Sequence, residues 1–218
     1  MLRRWQQQER SLESRQILDV GCGDGLFFPD LSRFGEVHGV EGDDRIVDPS
    51  GDYFHRIHVG LFDDTYQPDQ QFNWIVMLDV LEHIPDAVEA LKKAYHLLQP
   101  GGRMLLTVPA FNLLWTTHDD YNHHVTRYTK KLMIEQANQT RFIVEKQHYL
   151  FHWTFPAKLL VRLKEMLSNR EPTPVSLPAK IPNAILRSLC RFEQSTLTQL
   201  RPPFGSSLVV SLRKGSDG

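Results

Sequence analysis

Three groups of residues have the types and spacing that chemistry needs. The first is the run Asp19-Val20-Gly21-Cys22-Gly23-Asp24-Gly25, followed 20 residues after Gly21 by Glu41. Glycine has no Cβ, so a ligand can come close to the main chain and its N–H groups. A carboxylate at Glu41 can accept both hydroxyl protons of a ribose. The spacing G-x-G-x-x-G expected of a dinucleotide site fails in both frames, because its last position falls on Leu26 or on Phe28. Asp19 can face the loop amides or a ligand ammonium group. A pyrophosphate has no use for that carboxylate, whereas an amino-acid moiety does.

The second group is Asp79, Glu82 and His83. Two readings stand side by side. The carboxylates can lie on one side of a first helical turn, where the positive helix end favours them. Alternatively the three residues can hold a hard divalent cation. No metal site is assigned. The third group fills residues 109–128, where His118, His123, His124, Asp119, Asp120 and Arg127 share one connection with several aromatics. Loops on a rigid sheet are where binding groups are placed, and histidine is the usual base near neutral pH. The competing reading is that these residues satisfy loop backbone groups and cap the next helix. Their spacing matches no familiar transition-metal site.

These groups must be held by something rigid, and the apolar pattern supplies it. Residues 16–20 read as a buried strand ending in glycines, with a short helix over 26–34. Further strands are expected over 37–40, ending at Glu41, then over 54–59 and 74–78; the last is a near-continuous apolar run of the kind covered on both faces. A helix over 86–98 is stopped by Pro100-Gly101-Gly102. A strand over 103–108, a helix from the cap Thr129 to about 139, and strands over 142–150 and 207–212 complete the series. Strands alternating with helices predict an α/β fold: a seven-stranded, mostly parallel sheet with helices on both faces. Residues 151–204 form a helical insertion between the last two strands. Its first helical pattern puts Leu159, Leu160, Leu163, Met166 and Leu167 on one face and Lys158, Arg162 and Glu165 on another. Its second has Ile181, Ile185, Leu189 and Phe192, beyond a proline-rich link over 171–182.

A chain of 218 residues suits one α/β domain with an insertion. A formal net charge of -1 gives no whole-chain case for nucleic acid, and no nucleic-acid partner is expected. Charge is uneven, however: residues 158–214 hold ten basic and three acidic side chains. The insertion is therefore either a lid over an acceptor pocket, apolar face inward, or a peripheral contact with an anionic membrane surface. Cys22 and Cys190 make no disulfide framework, which fits a reducing, cytoplasmic setting. Residues 1–14 are polar and lack the apolar core of a signal peptide, and no run reaches the ~18 apolar residues of a membrane span.

The chain resembles the class I S-adenosylmethionine-dependent methyltransferases, of the Rossmann-like fold. The resemblance rests on Ile17-Leu18-Asp19-Val20-Gly21-Cys22-Gly23-Asp24-Gly25, Val40-Glu41, Leu78-Asp79-Val80-Leu81-Glu82-His83-Ile84 and Leu98-Gln99-Pro100-Gly101-Gly102. It implies that Asp19, Gly21, Cys22 and Gly23 line the methionine half of S-adenosylmethionine, that Glu41 holds the ribose, and that Leu78 lies along the cofactor. Many relatives carry Gly-Asp after the third strand, where the Asp meets the adenine. Here the pair is Gly60-Leu61, so either Asp63 moves in or Leu61 and Phe62 give apolar contact. Residues His118-Asp119 and His124-Val125-Thr126-Arg127-Tyr128, with Pro203-Phe204-Gly205-Ser206-Ser207-Leu208, resemble a bacterial small-molecule methyltransferase subgroup, many of whose members are described near polysaccharide or glycosyl-transfer functions. The implied acceptor is a small or lipid- or glycan-linked molecule, partly apolar or acidic, methylated on oxygen. For that reaction His118 and His124 are the candidate bases, Asp119 the orienter, Arg127 the clamp for a carboxylate or phosphate, and Tyr128 the residue closing the cofactor pocket. The other classes carried are a cofactor-binding module without catalysis and a nicotinamide oxidoreductase.

Overall fold

The computed structural model describes residues 1–8, 15–167, 188–191, 193 and 201–215. Among them are the strands β1 (Gln16–Val20), β2 (Glu36–Glu41), β3 (Ile57–Val59), β4 (Phe72–Leu78), β5 (Leu98–Pro109), β6 (Ile143–Leu150) and β7 (Ser207–Arg213). They form one sheet in the order β3-β2-β1-β4-β5-β7-β6. β1 to β5 pair in parallel, and β7 runs antiparallel to both β5 and β6. The expected Rossmann-like methyltransferase topology is the one observed. The strand order reverses between β1 and β4, and ligands of open α/β sheets bind beyond the strand ends at such a switch point.

Alternate residues of the central strands serve opposite faces. Leu18, Val20, Ile75 and Met77 join one apolar cluster, whereas Ile17, Trp74 and Val76 join another with Phe28 and Val37. Burial on both faces is why these strands read as unbroken apolar runs rather than alternating ones.

The helices are α1 (Leu2–Gln8), α2 (Phe28–Leu31), α3 (Ala87–Leu97), α4 (Thr117–Tyr121), α5 (Lys130–Gln139) and α6 (Thr154–Met166). Asp86 caps α3 by accepting from Glu89 N, and Thr129 caps α5 by accepting from Leu132 N. Two boundaries differ from expectation. α2 has only four residues, and β3 begins at Ile57 because residues 54–56 close a 3-10 turn. The polar α1 was not expected at all; it is anchored by Trp5, whose ring meets Trp74 edge-on at 5.3 Å.

α6 corrects the expected lid. Its leucines were to face inward, yet Leu160 is 67% exposed, Met166 69% and Leu167 90%. The inward face carries Lys158, Arg162 and Glu165, all half-buried. Glu165 accepts from both Thr117 N (3.1 Å) and Thr117 Oγ1 (2.9 Å), which pins the helix to the loop after β5. The link over 171–182 and the positions Ile181, Ile185 and Phe192 lie outside the described residues. Among the described residues no helix is long and apolar enough to cross a membrane.

Candidate active site

The ends of β1, β2 and β4 enclose a cavity of about 480 Å³, lined among others by Gly21, Glu41, Asp43, Leu61, Leu78 and Asp79. That is the size of a cofactor pocket. Gly21, Gly23 and Gly25 all have positive φ, and a Cβ on Gly21 would collide with the Val80 side chain. The loop donors are not left bare for a ligand. Gly21 N and Cys22 N both donate to Val40 O, Gly25 N to Cys22 O, and Gly23 N to Glu41 Oε2 at 2.8 Å. The loop thus offers carboxylates rather than amides. Glu41 is fixed further by Asp43 N, which donates to its Oε1 at 2.9 Å. Asp19 is buried and, among the described residues, accepts no hydrogen bond; burial and then the Glu41 charge push its carboxyl up to about 7. A buried, unpaired carboxylate calls for a cation.

Of the cofactor-site residues expected from sequence, Gly21, Glu41 and Leu78 line this cavity. Cys22 departs from expectation. Its side chain packs in the apolar cluster with Phe28 and against Gly39, and burial pushes its thiol up to about 12. Only its backbone can face a ligand. Below β3, Leu61 and Phe62 line the cavity. Asp63 instead accepts from Thr65 N and Thr65 Oγ1, so it is the apolar alternative that the geometry presents.

A second cavity of about 280 Å³ adjoins the first and shares Asp79 and His83 with it. Its other lining residues include Glu82, His118, His124, Arg127, Lys158 and Ser207. Strained backbone brackets it: Asp79 has φ 53° where β4 ends, and Phe111 φ 58° where β5 ends. Asp79 is not in a helical turn with Glu82. Residues 81–83 form a 3-10 turn, and α3 starts only at Ala87, so the helix-dipole reading of these carboxylates fails. Asp79 N donates to Thr107 O, and burial raises the Asp79 carboxyl.

Asp119 is the hub of this cavity. It is fully buried, and Arg127 donates to it twice, Nε to Oδ1 and NH2 to Oδ2, both at 2.9 Å. Thr116 N donates to Oδ2, and His124 Nδ1 lies 2.7 Å from Oδ1. Burial alone would raise the Asp119 carboxyl, but the bonds from Arg127 and Thr116 and the guanidinium charge outweigh it and hold it below the usual range. An ionised carboxylate only accepts, so His124 carries its proton on Nδ1 and keeps Nε2 as its basic atom. His118 also lines the cavity but is exposed, with the Asn122 amide as its neighbour.

Two assignments change here. Arg127 is 2% exposed, and its remaining NH1 donates to Ala110 O, so it is a buried partner of Asp119 rather than a clamp for an acceptor. Tyr128 is fully buried in the main apolar cluster, with its hydroxyl on Leu81 O, and does not close the cofactor cavity.

Glu82 and His83, which the sequence offered with Asp79 as a cation site, are joined here by Lys158, which it placed only on the polar face of the insertion's first helix. Glu82 is 1% exposed, and burial pushes its carboxyl up to about 8. Among the described residues its Oε2 has no hydrogen-bond partner. The His83 ring stands edge-on to His124, centroids 4.7 Å apart, and ligating atoms of Glu82, His83 and His124 lie within 4.8 Å of one another. Lys158 reaches the same cavity from α6, 31 positions after Arg127, a distance no local spacing rule spans.

Comparison with known proteins agrees with this geometry. A family model described as a methyltransferase domain matches residues 3–165. A ubiquinone biosynthesis O-methyltransferase of Coxiella burnetii is 28% identical over 111 residues, 46% of each chain. One of Alkalilimnicola ehrlichii is 31% identical over 106 residues, 44% of this chain and 42% of the other. The matches thus span less than half the length of these curated relatives. Among solved structures, an S-adenosylmethionine-dependent methyltransferase from Archaeoglobus fulgidus superposes with TM-score 0.61 at 16% identity, over 98% of this chain and 91% of that one. Phosphoethanolamine N-methyltransferase 2 of Haemonchus contortus, in complex with S-adenosyl-L-methionine, gives TM-score 0.61 at 18% identity, over 97% of this chain and 51% of that one.

Proposed function

The chain belongs to the methyltransferase-domain family; on that premise we propose that it uses S-adenosylmethionine to methylate a hydroxyl group of a small or lipid- or glycan-linked acceptor, with His124 as the base. The cofactor supplies an activated methyl group on a sulfonium. The protein's own residues must then align the acceptor and take its proton.

The observation that carries this reading is the Asp119–His124 contact of 2.7 Å, in a cavity that meets the cofactor cavity at Asp79 and His83. Asp119 fixes the tautomer and orientation of the ring. His118 has no such partner and serves the rim of the cavity. The names of the curated relatives, O-methyltransferases, support oxygen as the methylated atom.

The test is turnover on a panel of hydroxylated acceptors, followed as S-adenosylhomocysteine formed. His124→Ala lowers kcat by about 10²–10⁴-fold, the usual worth of a general base, and leaves cofactor affinity unchanged. His118→Ala has the smaller effect. Full turnover in His124→Ala would remove the base assignment.

A second reading is favoured by the orphaned Oε2 of Glu82: a divalent cation held by Glu82, His83 and His124. Two imidazoles and one carboxylate suit zinc- or manganese-type ions. Glu82 would have to give up its proton to bind. Metal content of purified protein exchanged against these ions distinguishes the readings: stoichiometric retention, lost in Glu82→Gln, favours the cation.

A further inference from the structure

The cavity beyond Asp79 and His83 contains a cationic side chain that, among the described residues, has neither a hydrogen-bond nor an ion-pair partner. Arg127, the other cation there, has its charge paired with Asp119 and a third N–H bonded to Ala110 O. Lys158 is half-buried on the inward face of α6, lines the cavity, and among the described residues makes neither a hydrogen bond nor an ion pair. The charges that face it are Asp79 and Asp119, which attract it, and Arg127, which repels it; His118 shares the cavity wall. Asp119 is already neutralised by Arg127, and Asp79 stands at the boundary with the cofactor cavity.

We propose that Lys158 receives an oxyanion of the acceptor, a carboxylate or a phosphate, and so restricts this enzyme to anionic acceptors. This rests on the reading that the cavity beyond Asp79 and His83 is the acceptor site. Three observations converge. First, α6 inverts the usual arrangement: it turns Lys158 and Glu165 inward and leaves Leu160, Met166 and Leu167 outside. A helix that only covered a pocket would bury its leucines. Second, Lys158 and Glu165 are seven positions apart and share a face. The two bonds from Thr117 to Glu165 therefore hold Lys158 over the cavity. Third, the neighbouring groups suit an oxyanion: Ser207 carries a hydroxyl on the same wall, and its side chain has no hydrogen bond among the described residues. Asp79 and Asp119 attract Lys158 only at a distance; a desolvated ammonium with no direct hydrogen-bond acceptor is costly to keep, and an incoming carboxylate or phosphate supplies one.

Titration of the full chain with benzoate and with inorganic phosphate, at constant ionic strength and with and without S-adenosylhomocysteine, tests this. At least one anion is expected to bind in the millimolar range, and the stronger of the two identifies the class. Lys158→Met loses about 10- to 100-fold in that affinity, as expected for a charge-assisted hydrogen bond. Lys158→Arg stays within a few-fold of wild type, and neutral benzamide does not distinguish the three proteins. Lys158→Gln serves as the second neutral variant, with thermal melts to establish folding. Absence of binding by either anion, or equal binding by wild type and both neutral variants, overturns the proposal. These titrations do not depend on His124, so the base assignment and the Lys158 assignment fail separately.

Discussion

The two adjoining cavities are built by opposite means. The cavity beyond β1, β2 and β4 is made of strand ends and glycine backbone, with the amides of Gly21, Cys22 and Gly23 bonded internally and Glu41 on its wall; Asp19 is buried in β1, next to the lining residues Val20 and Gly21. The neighbouring cavity, proposed above to receive the acceptor, is lined by residues from five segments, around 79–83, 109, 118–127, 158 and 207, beside a buried ionic hub. The first can be formed wherever a parallel sheet reverses its order. The second exists only when distant segments arrive together. The same methyltransferase frame can thus keep its cofactor while the acceptor site is rebuilt.

The difference breaks most visibly at Asp119. Removing its carboxylate leaves the Arg127 guanidinium buried and unpaired and frees the His124 ring. Asp119→Ala is therefore expected to lose about 3–5 kcal/mol of stability in urea unfolding. Asp119→Ala combined with Arg127→Met recovers part of that loss, because no lone charge remains. A loss below about 1 kcal/mol in the single variant would mean that the hub does not hold the acceptor cavity together.

The same contrast governs what could be read from the chain. Cofactor-cavity residues announce themselves locally: a strand that stops in glycines, and an acid at the end of the next strand. Even there Cys22 misled, because position in a loop does not say which way a side chain turns, and Gly39 makes the room that draws it into the core. In the acceptor region the histidines and Asp119 were legible by type, but their roles were not. Arg127 looked like a clamp because its partner, eight positions earlier, is known only once the loop is folded. Tyr128 looked like a lid because nothing local reveals that it meets Leu81 in the core. Lys158 lay on the polar face of a helix whose apolar face was expected inward, and only tertiary contact with Thr117 reverses that.

Glu82 sharpens the comparison with Asp119. Both carboxylates are buried, yet one is saturated with donors and the other has an orphaned oxygen. Burial, with help from the Asp79 and Asp119 charges, lifts Glu82 to about 8. Its folded value lies above the unfolded one of roughly 4.3. The folded state therefore binds the extra proton across that interval, and the stabilisation is full at low pH and lost as pH rises towards 8. Glu82→Gln cannot titrate. The stability of wild type relative to this variant should fall between pH 5 and pH 8 by roughly 3–4 kcal/mol. Parallel profiles would mean that Glu82 is ionised and partnered in the folded protein.

Asp19 gives the corresponding test on the cofactor side, with a smaller effect. Burial first, and then Glu41, place its carboxyl at about 7 before any ligand is bound. An ammonium group beside it favours the ionised form, so binding drives a proton off wherever Asp19 is still protonated. Cofactor affinity should then rise with pH and level off above about 8, being roughly tenfold weaker at pH 6 than on the plateau. Calorimetry in buffers of different ionisation enthalpy would register the released proton directly. Asp19→Asn binds more weakly, and its profile is flat. A flat profile in the wild type would place the ammonium elsewhere and leave Asp19 a merely structural acid. The cavity at the strand ends would then select its ligand by shape and backbone contact rather than by charge, unlike the neighbouring cavity, whose charged groups come together from across the fold.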